Sequence, residues 1–286
     1  MGAPMAQNLM RAGHRIKAFD INPDNAVTLI AEGGLLAASA AEAARSAEVV
    51  ISMLPNGAVV RQVFEGPDGV LAQLTTKPLL IECSTISPED ACAVAASAAT
   101  AGLSMIDAPV SGGVRGAREG TLSFMVGGST AAFDAAKPYL SEMGRSLFHV
   151  GPSGTGQAAK ICNNMMAGIL MAATAEVLAL GKRSGLTPEI LTEIMRHSSG
   201  GNFMLDRWNP WPGVDPATPA SQGYTGGFQV NLMLKDLGLA LQSAQITQSA
   251  TPLGAMARNV FQIHALQDRS AGQLDMSSVQ SLYYPV

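Results

Sequence analysis

Gln157, Lys160, Asn163 and Asn164 are related by steps of three and four residues, so on a helix they share one face. Ile161, Met165 and Met166 surround them. An amine and amides in apolar surroundings can line a cleft, where a lysine gives up its proton more readily and can act as a general acid or base. The same spacing also suits a first-turn lysine whose stem lies along the helix and whose ammonium reaches water. Asp107–Gly113 (DAPVSGG) offers other chemistry. The Ser111 hydroxyl and the backbone N–H groups of Gly112 and Gly113 make a concave donor set suited to a carboxylate, although a plain tight loop has the same composition. The run Gly151–Lys160 (GPSGTGQAAK) is not a phosphate loop, because Gly156 precedes Gln157 rather than a Lys-Ser/Thr pair.

A second group of residues points to a nucleotide. Asp20 closes a predicted strand eighteen residues after Gly2, near the spacing at which a dinucleotide fold places its ribose-binding acid. A carboxylate there accepts bonds from a ribose 2′-hydroxyl and repels a 2′-phosphate, which favours NAD over NADP. An acid at a strand end also serves as a turn or cap residue. Leu54, Pro55, Asn56 and Gly57, and likewise Cys83, Ser84 and Thr85, follow predicted parallel strands, where open α/β sheets bind ligands. Turn chemistry accounts equally for Pro55, Asn56 and Gly57, and Thr85 can cap the next helix. Asn231, Lys235, Gly238 and Gln242 form another helical stripe. It reads either as a solvated face or as one whose lysine touches cofactor or substrate.

The elements that must carry these residues change character midway. Arg15–Asp20, Glu48–Leu54, Leu79–Cys83, Leu103–Ala108, Leu122–Val126 and Ser146–Val150 read as strands alternating with helices, which predicts a parallel sheet covered on both faces. Met1 to Pro4 reads as the first turn of a helix. From Thr155 the pattern is helical only: a long helix to about Arg183, another from Thr187 to near His197, then Gln229–Gln245, Thr251–Gln267 and Ser277–Tyr283. Between them, Ser198–Phe228 holds both tryptophans and four prolines, a composition expected of a binding loop or lid. The expected division is a dinucleotide-binding domain over residues 1–152 and a helical substrate and oligomerisation domain over 153–286.

Composition excludes several classes. The 286 residues suffice for two domains. Hydrophobic residues make up 47% and charged residues 14%, against about 25% charged in typical proteins. That is too apolar for a disordered chain, and a net charge of −4 with no basic block argues against nucleic acid. Cys83, Cys92 and Cys162 show no ligand or disulfide spacing, and His14, His149, His197 and His264 are scattered, so no metal site is expected. The thiols suit a cytoplasmic location. The apolar run Met165–Gly181 contains Glu176, which favours a buried helix over a membrane span.

Taken together, Val50–Pro55, Cys83–Thr85, DAPVSGG, Gly154–Asn164 (GTGQAAKICNN) and Lys235–Asp236 resemble the β-hydroxyacid dehydrogenase family over essentially the whole chain. Asn209–Gly213 and Gly226–Phe228 are similar to its 3-hydroxyisobutyrate dehydrogenase members. The resemblance implies a Rossmann-type α/β domain followed by an all-α domain. Met1–Met5 matches the tail of a Gly-rich turn, so the first strand and about a dozen residues are expected ahead of Met1. Without that strand, the edges of its two neighbours would be bare. The implied reaction is oxidation of (S)-3-hydroxyisobutyrate to methylmalonate semialdehyde with NAD, a step of valine breakdown. By resemblance Lys160 exchanges the hydroxyl proton, Asn164 orients the substrate, and Ser111, Gly112 and Gly113 hold its carboxylate. Gly2, Asp20, Leu54, Pro55 and Thr85 bind the cofactor, and Lys235 closes over the nicotinamide side. A homodimer or homotetramer is expected. The rival readings are a relative acting on another short hydroxyacid or on tartronate semialdehyde, and an inactive remnant.

Overall fold

The computed structural model describes residues 1–268 and 270–285. It divides into two compact units, Met1–Lys160 and Ile161–Val286. The composition changes earlier, after the last strand, but the first turns of the following helix are hydrogen-bonded to that strand layer and belong with it.

The first unit opens with α1 (Gly2–Arg11), β1 (Lys17–Ala18), α2 (Val27–Ala31), β2 (Leu35–Leu36), α3 (Ala40–Ala44) and β3 (Val49–Ser52). It continues through α4 (Gly57–Glu65), α5 (Val70–Gln73), β4 (Leu79–Glu82), α6 (Pro88–Thr100), β5 (Met105–Asp107) and β6 (Val110–Ser111). α7 (Gly113–Glu119), β7 (Leu122–Gly127), α8 (Thr130–Met143) and β8 (Gly144–Gly151) complete the sheet layer, and α9 (Thr155–Arg183) begins within the unit. The strands β3, β4 and β5 are parallel neighbours, β7 runs antiparallel to both β5 and β6, and β8 lies parallel to β7. This corrects the expectation of an all-parallel sheet. The short α7 connection cannot carry the chain back for a parallel β7, whereas the longer α8 can do so for β8. Among the described residues β1 pairs with β2 alone, as a separate parallel pair. Among the described residues β3 has β4 as its one ladder partner. Val49, Val50 and Ile51 are accordingly half-buried, while Leu80 and Ile81 of β4 are fully buried.

Alternation along the strands feeds two apolar layers. Ile81, Ile106, Leu122, Phe124 and Val126 pack with Met5 and Leu9 of α1 and with Phe133, Ala136 and Leu140 of α8. Leu80 and Met105 pack with Val60 and Phe64 of α4 and Val94 of α6. Helices thus cover both faces, and the loops at the carboxyl ends of β3, β4 and β5 are left to build a site.

The second unit contains the remainder of α9, α10 (Pro188–Arg196), α11 (Phe203–Arg207), α12 (Val230–Ile246), α13 (Pro252–Gln267) and α14 (Gln280–Tyr283). α9 ends where Gly185 takes a φ of +88°, and Thr187 caps α10 ahead of Pro188. By length and composition α9 could cross a membrane, and half of its most apolar stretch is buried in the protein. Met171, Met204, Met233, Leu237, Phe261 and Val279 form the core. Ser198–Phe228 is not the bare loop its composition predicts: it holds α11 and a 3-10 turn at Pro219–Gln222. Buried Asp275 ties it down, accepting from Trp208 Nε1 at 3.0 Å and from the Phe228 N–H at 2.7 Å. Such long-range bonds leave no signal in composition.

Candidate active site

In the first unit, β3, β4 and β5 end in register on Ser52, Glu82 and Asp107. All three are buried, Glu82 to 1% exposure. Apolar strands that finish on polar residues inside the protein need partners for those groups. Glu82 Oε1 accepts from the Ser84 N–H at 3.0 Å, from the Ser84 hydroxyl, and from the Ser52 hydroxyl at 3.2 Å. Ser84 Oγ in turn accepts the Leu54 N–H at 2.7 Å. Burial pushes the Glu82 carboxyl up to about 7, with the bonds from Ser84 and Ser52 opposing and the charge of Asp107 adding to the rise. Burial likewise raises Asp107 against the bonds it accepts, and holds the Cys83 thiol well above its usual range, protonated and inert.

Asp107 is the first residue of the DAPVSGG segment, and its carboxylate seats the start of α9. Oδ1 accepts the Gly154 N–H at 2.7 Å and Oδ2 the Gln157 N–H at 3.0 Å. The contact is so close that a Cβ on Gly156 would meet the Met125 carbonyl and sit 2.8 Å from Asp107 Oδ2. Gly156 of GTGQ therefore serves strand-to-helix packing, while Gly154 makes room for Cys92 and Pro88 of α6. Lys160 follows one turn later and is 5% exposed, so the reading of a lysine reaching into solvent does not hold. Gln157 is fully buried. It does not line a cleft as the stripe suggests, but bonds the Ser84–Ile86 turn through Nε2 to the Ser84 carbonyl and through Oε1 to the Ile86 N–H.

Ser111 and Gly113 are half-buried and Gly112 exposed. Gly112 and Gly113 have φ of 131° and 63°, backbone that other residues adopt only with strain. Thr85 is half-buried and does not cap α6: that bond belongs to Ser87, which accepts the Asp90 N–H at 3.0 Å. Asn56 does cap α4, accepting the Val59 N–H at 3.0 Å, which leaves Leu54 and Pro55 to form the turn before it.

The chain start lies beside the ends of β1 and β3. A Cβ on Gly2 would be 3.6 Å from that of Met53, and burial lowers the pKa of the Met1 amine while the charge of Asp20 opposes the shift. Asp20 is held in place by Oδ1, which accepts from the Asn22 N–H at 2.9 Å and from Asn25 Nδ2 at 3.1 Å. α1 has no side-chain cap, so its first-turn N–H groups are donors for an anion. β1 stops at Ala18, so Asp20 stands two residues beyond the strand it was expected to close. The N–H groups of the uncapped helix as donors, the Asp20 carboxylate as acceptor and the Leu54 turn make a set that fits a dinucleotide. Gly2, Asp20, Leu54, Pro55 and Thr85 are the residues that would hold it.

In the second unit, Asn164 and Lys235 converge on a residue the sequence leaves without a role. Asp236, 1% exposed, accepts from Asn164 Nδ2 and pairs through Oδ1 with Lys235 Nζ at 3.1 Å. Asn163 is exposed and donates to Asn164 Oδ1 at 3.0 Å. The available signal was the carboxylate itself, isolated on the otherwise apolar face of α12. Glu82 and Asp107 likewise signalled as acids closing apolar strands.

Comparison with known proteins agrees with this geometry. Residues 1–151 match the family model for the NAD-binding domain of 6-phosphogluconate dehydrogenase. Residues 154–283 match the model for the NAD-binding region of NADP-dependent 3-hydroxyisobutyrate dehydrogenase. The chain is 58% identical to a 3-hydroxyisobutyrate dehydrogenase of Pseudomonas aeruginosa, over 99% of this chain and 95% of that one. It is 48% identical to an NAD-dependent L-serine dehydrogenase of the same organism, over 100% and 95%. A solved structure of Mycobacterium tuberculosis 3-hydroxyisobutyrate dehydrogenase with L-serine superposes with a TM-score of 0.92 at 40% identity, covering 99% of this chain and 96% of that one. On the two family models and the similarity over nearly its full length, the chain belongs to the 3-hydroxyisobutyrate dehydrogenase family and is an NAD-dependent hydroxyacid dehydrogenase.

Proposed function

We propose that the chain oxidises 3-hydroxyisobutyrate to methylmalonate semialdehyde, as in valine breakdown. The observation that carries the mechanism is Lys160, buried one turn into a helix whose start is fixed to the strand ends. Lys160 takes the proton of the substrate hydroxyl as its carbon becomes a carbonyl. NAD, when bound, supplies the hydride acceptor. The Ser111 hydroxyl and the N–H groups of Gly112 and Gly113 hold the carboxylate, so the substrate hangs from a fixed end with its hydroxyl towards the base. Asn164, its amide fixed by Asp236, and Lys235 take the substrate and nicotinamide roles that the family resemblance implies for them. The substrate assignment is supported by the 58% identical relative.

L-Serine is the second reading, favoured by the 48% identical relative and by the ligand of the mycobacterial structure. Serine shares the primary hydroxyl one carbon removed from the carboxylate-bearing carbon. Specificity constants with 3-hydroxyisobutyrate, L-serine and, in the reducing direction, tartronate semialdehyde separate these readings. The highest value is expected for 3-hydroxyisobutyrate; a higher one for either rival transfers the assignment to it.

A second copy of this chain is the proposed partner. Met166, Val177 and Leu180 are exposed on α9, and light scattering in solution tests for a dimer or tetramer. A reducing compartment such as the cytoplasm suits three cysteines that are all free thiols.

A further inference from the structure

We propose that Gln157 is a positioning residue for Lys160, locking the Ser84–Ile86 turn to the helix that carries the lysine. This rests on the assignment of Lys160 as the proton acceptor. Gln157 is fully buried, and its amide is used at both ends: Nε2 donates to the Ser84 carbonyl at 2.8 Å, and Oε1 accepts the Ile86 N–H at 3.1 Å. The amide does both at once, whereas an ionised carboxylate lacks the donor and an apolar side chain lacks both. The bridged turn contains Thr85, a cofactor-side residue, and the lysine lies three positions beyond Gln157 on the same helix.

The lock is anchored on both sides. On one side, Ser84 is held by the buried Glu82 carboxyl through its N–H and hydroxyl, and its Oγ fixes the Leu54 N–H at the other cofactor-side turn. On the other side, the Gln157 N–H is held by Asp107. One hydrogen-bonded frame therefore runs from the Leu54 turn through Ser84 to Gln157 and the helix. Proton transfer during hydride transfer requires the amine and the reacting carbon to be placed together to within a fraction of an ångström. Gln157 sets that placement without touching either reactant.

The test compares Gln157→Met, close in size but without the amide, with the parent, alone and in a Lys160→Ala background. In Gln157→Met, hydrogen exchange at the Ile86 amide should accelerate, kcat should fall about tenfold or more, and the NAD Kd by calorimetry should move by less than about threefold. In the Lys160→Ala background the same change should lower the residual turnover no further, because it acts through the lysine. Unchanged kcat in Gln157→Met, or a full additional loss on top of Lys160→Ala, overturns the positioning role. Near-normal turnover in Lys160→Ala alone would instead overturn the assignment of the lysine, and the positioning role with it. If Gln157→Met does not fold, Gln157→Asn keeps the amide but is one methylene too short to reach both the Ser84 carbonyl and the Ile86 N–H. It should show the same kcat loss with NAD affinity retained, and parental kcat would overturn the proposal.

Discussion

Asp107 accepts the backbone N–H of Gln157 at 3.0 Å and that of Gly154 at 2.7 Å, so the last residue of β5 fixes where the helix bearing Lys160 begins. The carboxylate is buried and burial raises its pKa, yet it stays because it satisfies helix-start donors that would otherwise be orphaned. Asp107→Ala should therefore destabilise the protein by about 3 kcal/mol, the usual range for losing charge-assisted buried bonds. Asp107→Asn keeps one acceptor oxygen and should lose roughly half as much. Urea denaturation of the three proteins measures this, and a parental midpoint in Asp107→Ala would show that the helix start needs no carboxylate.

Glu82 gives a pH dependence with a definite sign. Its carboxyl is pushed up to about 7 in the fold against an ordinary value of 4.5. Between those values the folded chain binds more protons at this group than the unfolded chain. Its contribution to stability therefore declines as pH rises through the window and levels off above the folded value. Glu82→Gln cannot ionise and escapes the decline. The stability of the variant relative to the parent should thus be greater at about pH 8 than at about pH 5. Equal differences at the two pH values would show that Glu82 titrates normally.

These two acids also show what the sequence could reveal. Leu79–Cys83 and Leu103–Ala108 are legible as strands, and α9 as a helix ending near Arg183, because apolar periodicity and glycine punctuation act locally. That Glu82 and Asp107 stand side by side depends on strand register, which no local pattern encodes. The stripe Gln157, Lys160 and Asn164 was visible by spacing. Its division was not, since Gln157 turns to the Ser84–Ile86 turn and Asn164 to Asp236 by bonds spanning many residues. Antiparallel β7 was hidden for a related reason: strand direction follows from connection length and sheet order, and short strands such as β6 escape periodicity altogether.

Lys160→Ala should lower kcat by about two to four orders of magnitude, the usual contribution of a positioned acid or base. Its NAD Kd should change little, because the residues proposed to hold the dinucleotide lie on α1, at Asp20 and in the Leu54 turn. Stopped-flow NADH formation together with calorimetry reads both quantities. Turnover close to the parent would remove the lysine from the mechanism.

Asp236 holds the Asn164 amide and pairs with Lys235 Nζ at 3.1 Å. Asp236→Ala removes the acceptor of the Asn164 amide and the carboxylate beside Lys235, so KM for the hydroxyacid should rise about tenfold or more, with a fall in kcat. Asp236→Asn retains an acceptor for Asn164 and drops the charge opposite Lys235, so it separates the two effects. If KM recovers in Asp236→Asn, the Asn164 bond carries the role; if it stays raised, the ion pair does. Parental kinetics in Asp236→Ala would leave the residue purely structural.

In the proposed site cofactor choice turns on Asp20, which follows β1 by two residues and is held by the Asn22 N–H and Asn25 Nδ2. A fixed carboxylate can accept from a ribose 2′-hydroxyl but meets a 2′-phosphate as like charge against like charge. Asp20→Asn keeps an oxygen for the Asn22 N–H, so the turn should survive while the repulsion is removed. The preference for NAD over NADP, measured as a ratio of kcat/KM values at fixed hydroxyacid concentration, should fall by about tenfold or more. The change should come mainly from improved use of NADP and should weaken with added salt, because salt screens the charge at this half-buried site. An unchanged ratio in Asp20→Asn, or a parent that already prefers NADP, would show that cofactor choice is made elsewhere.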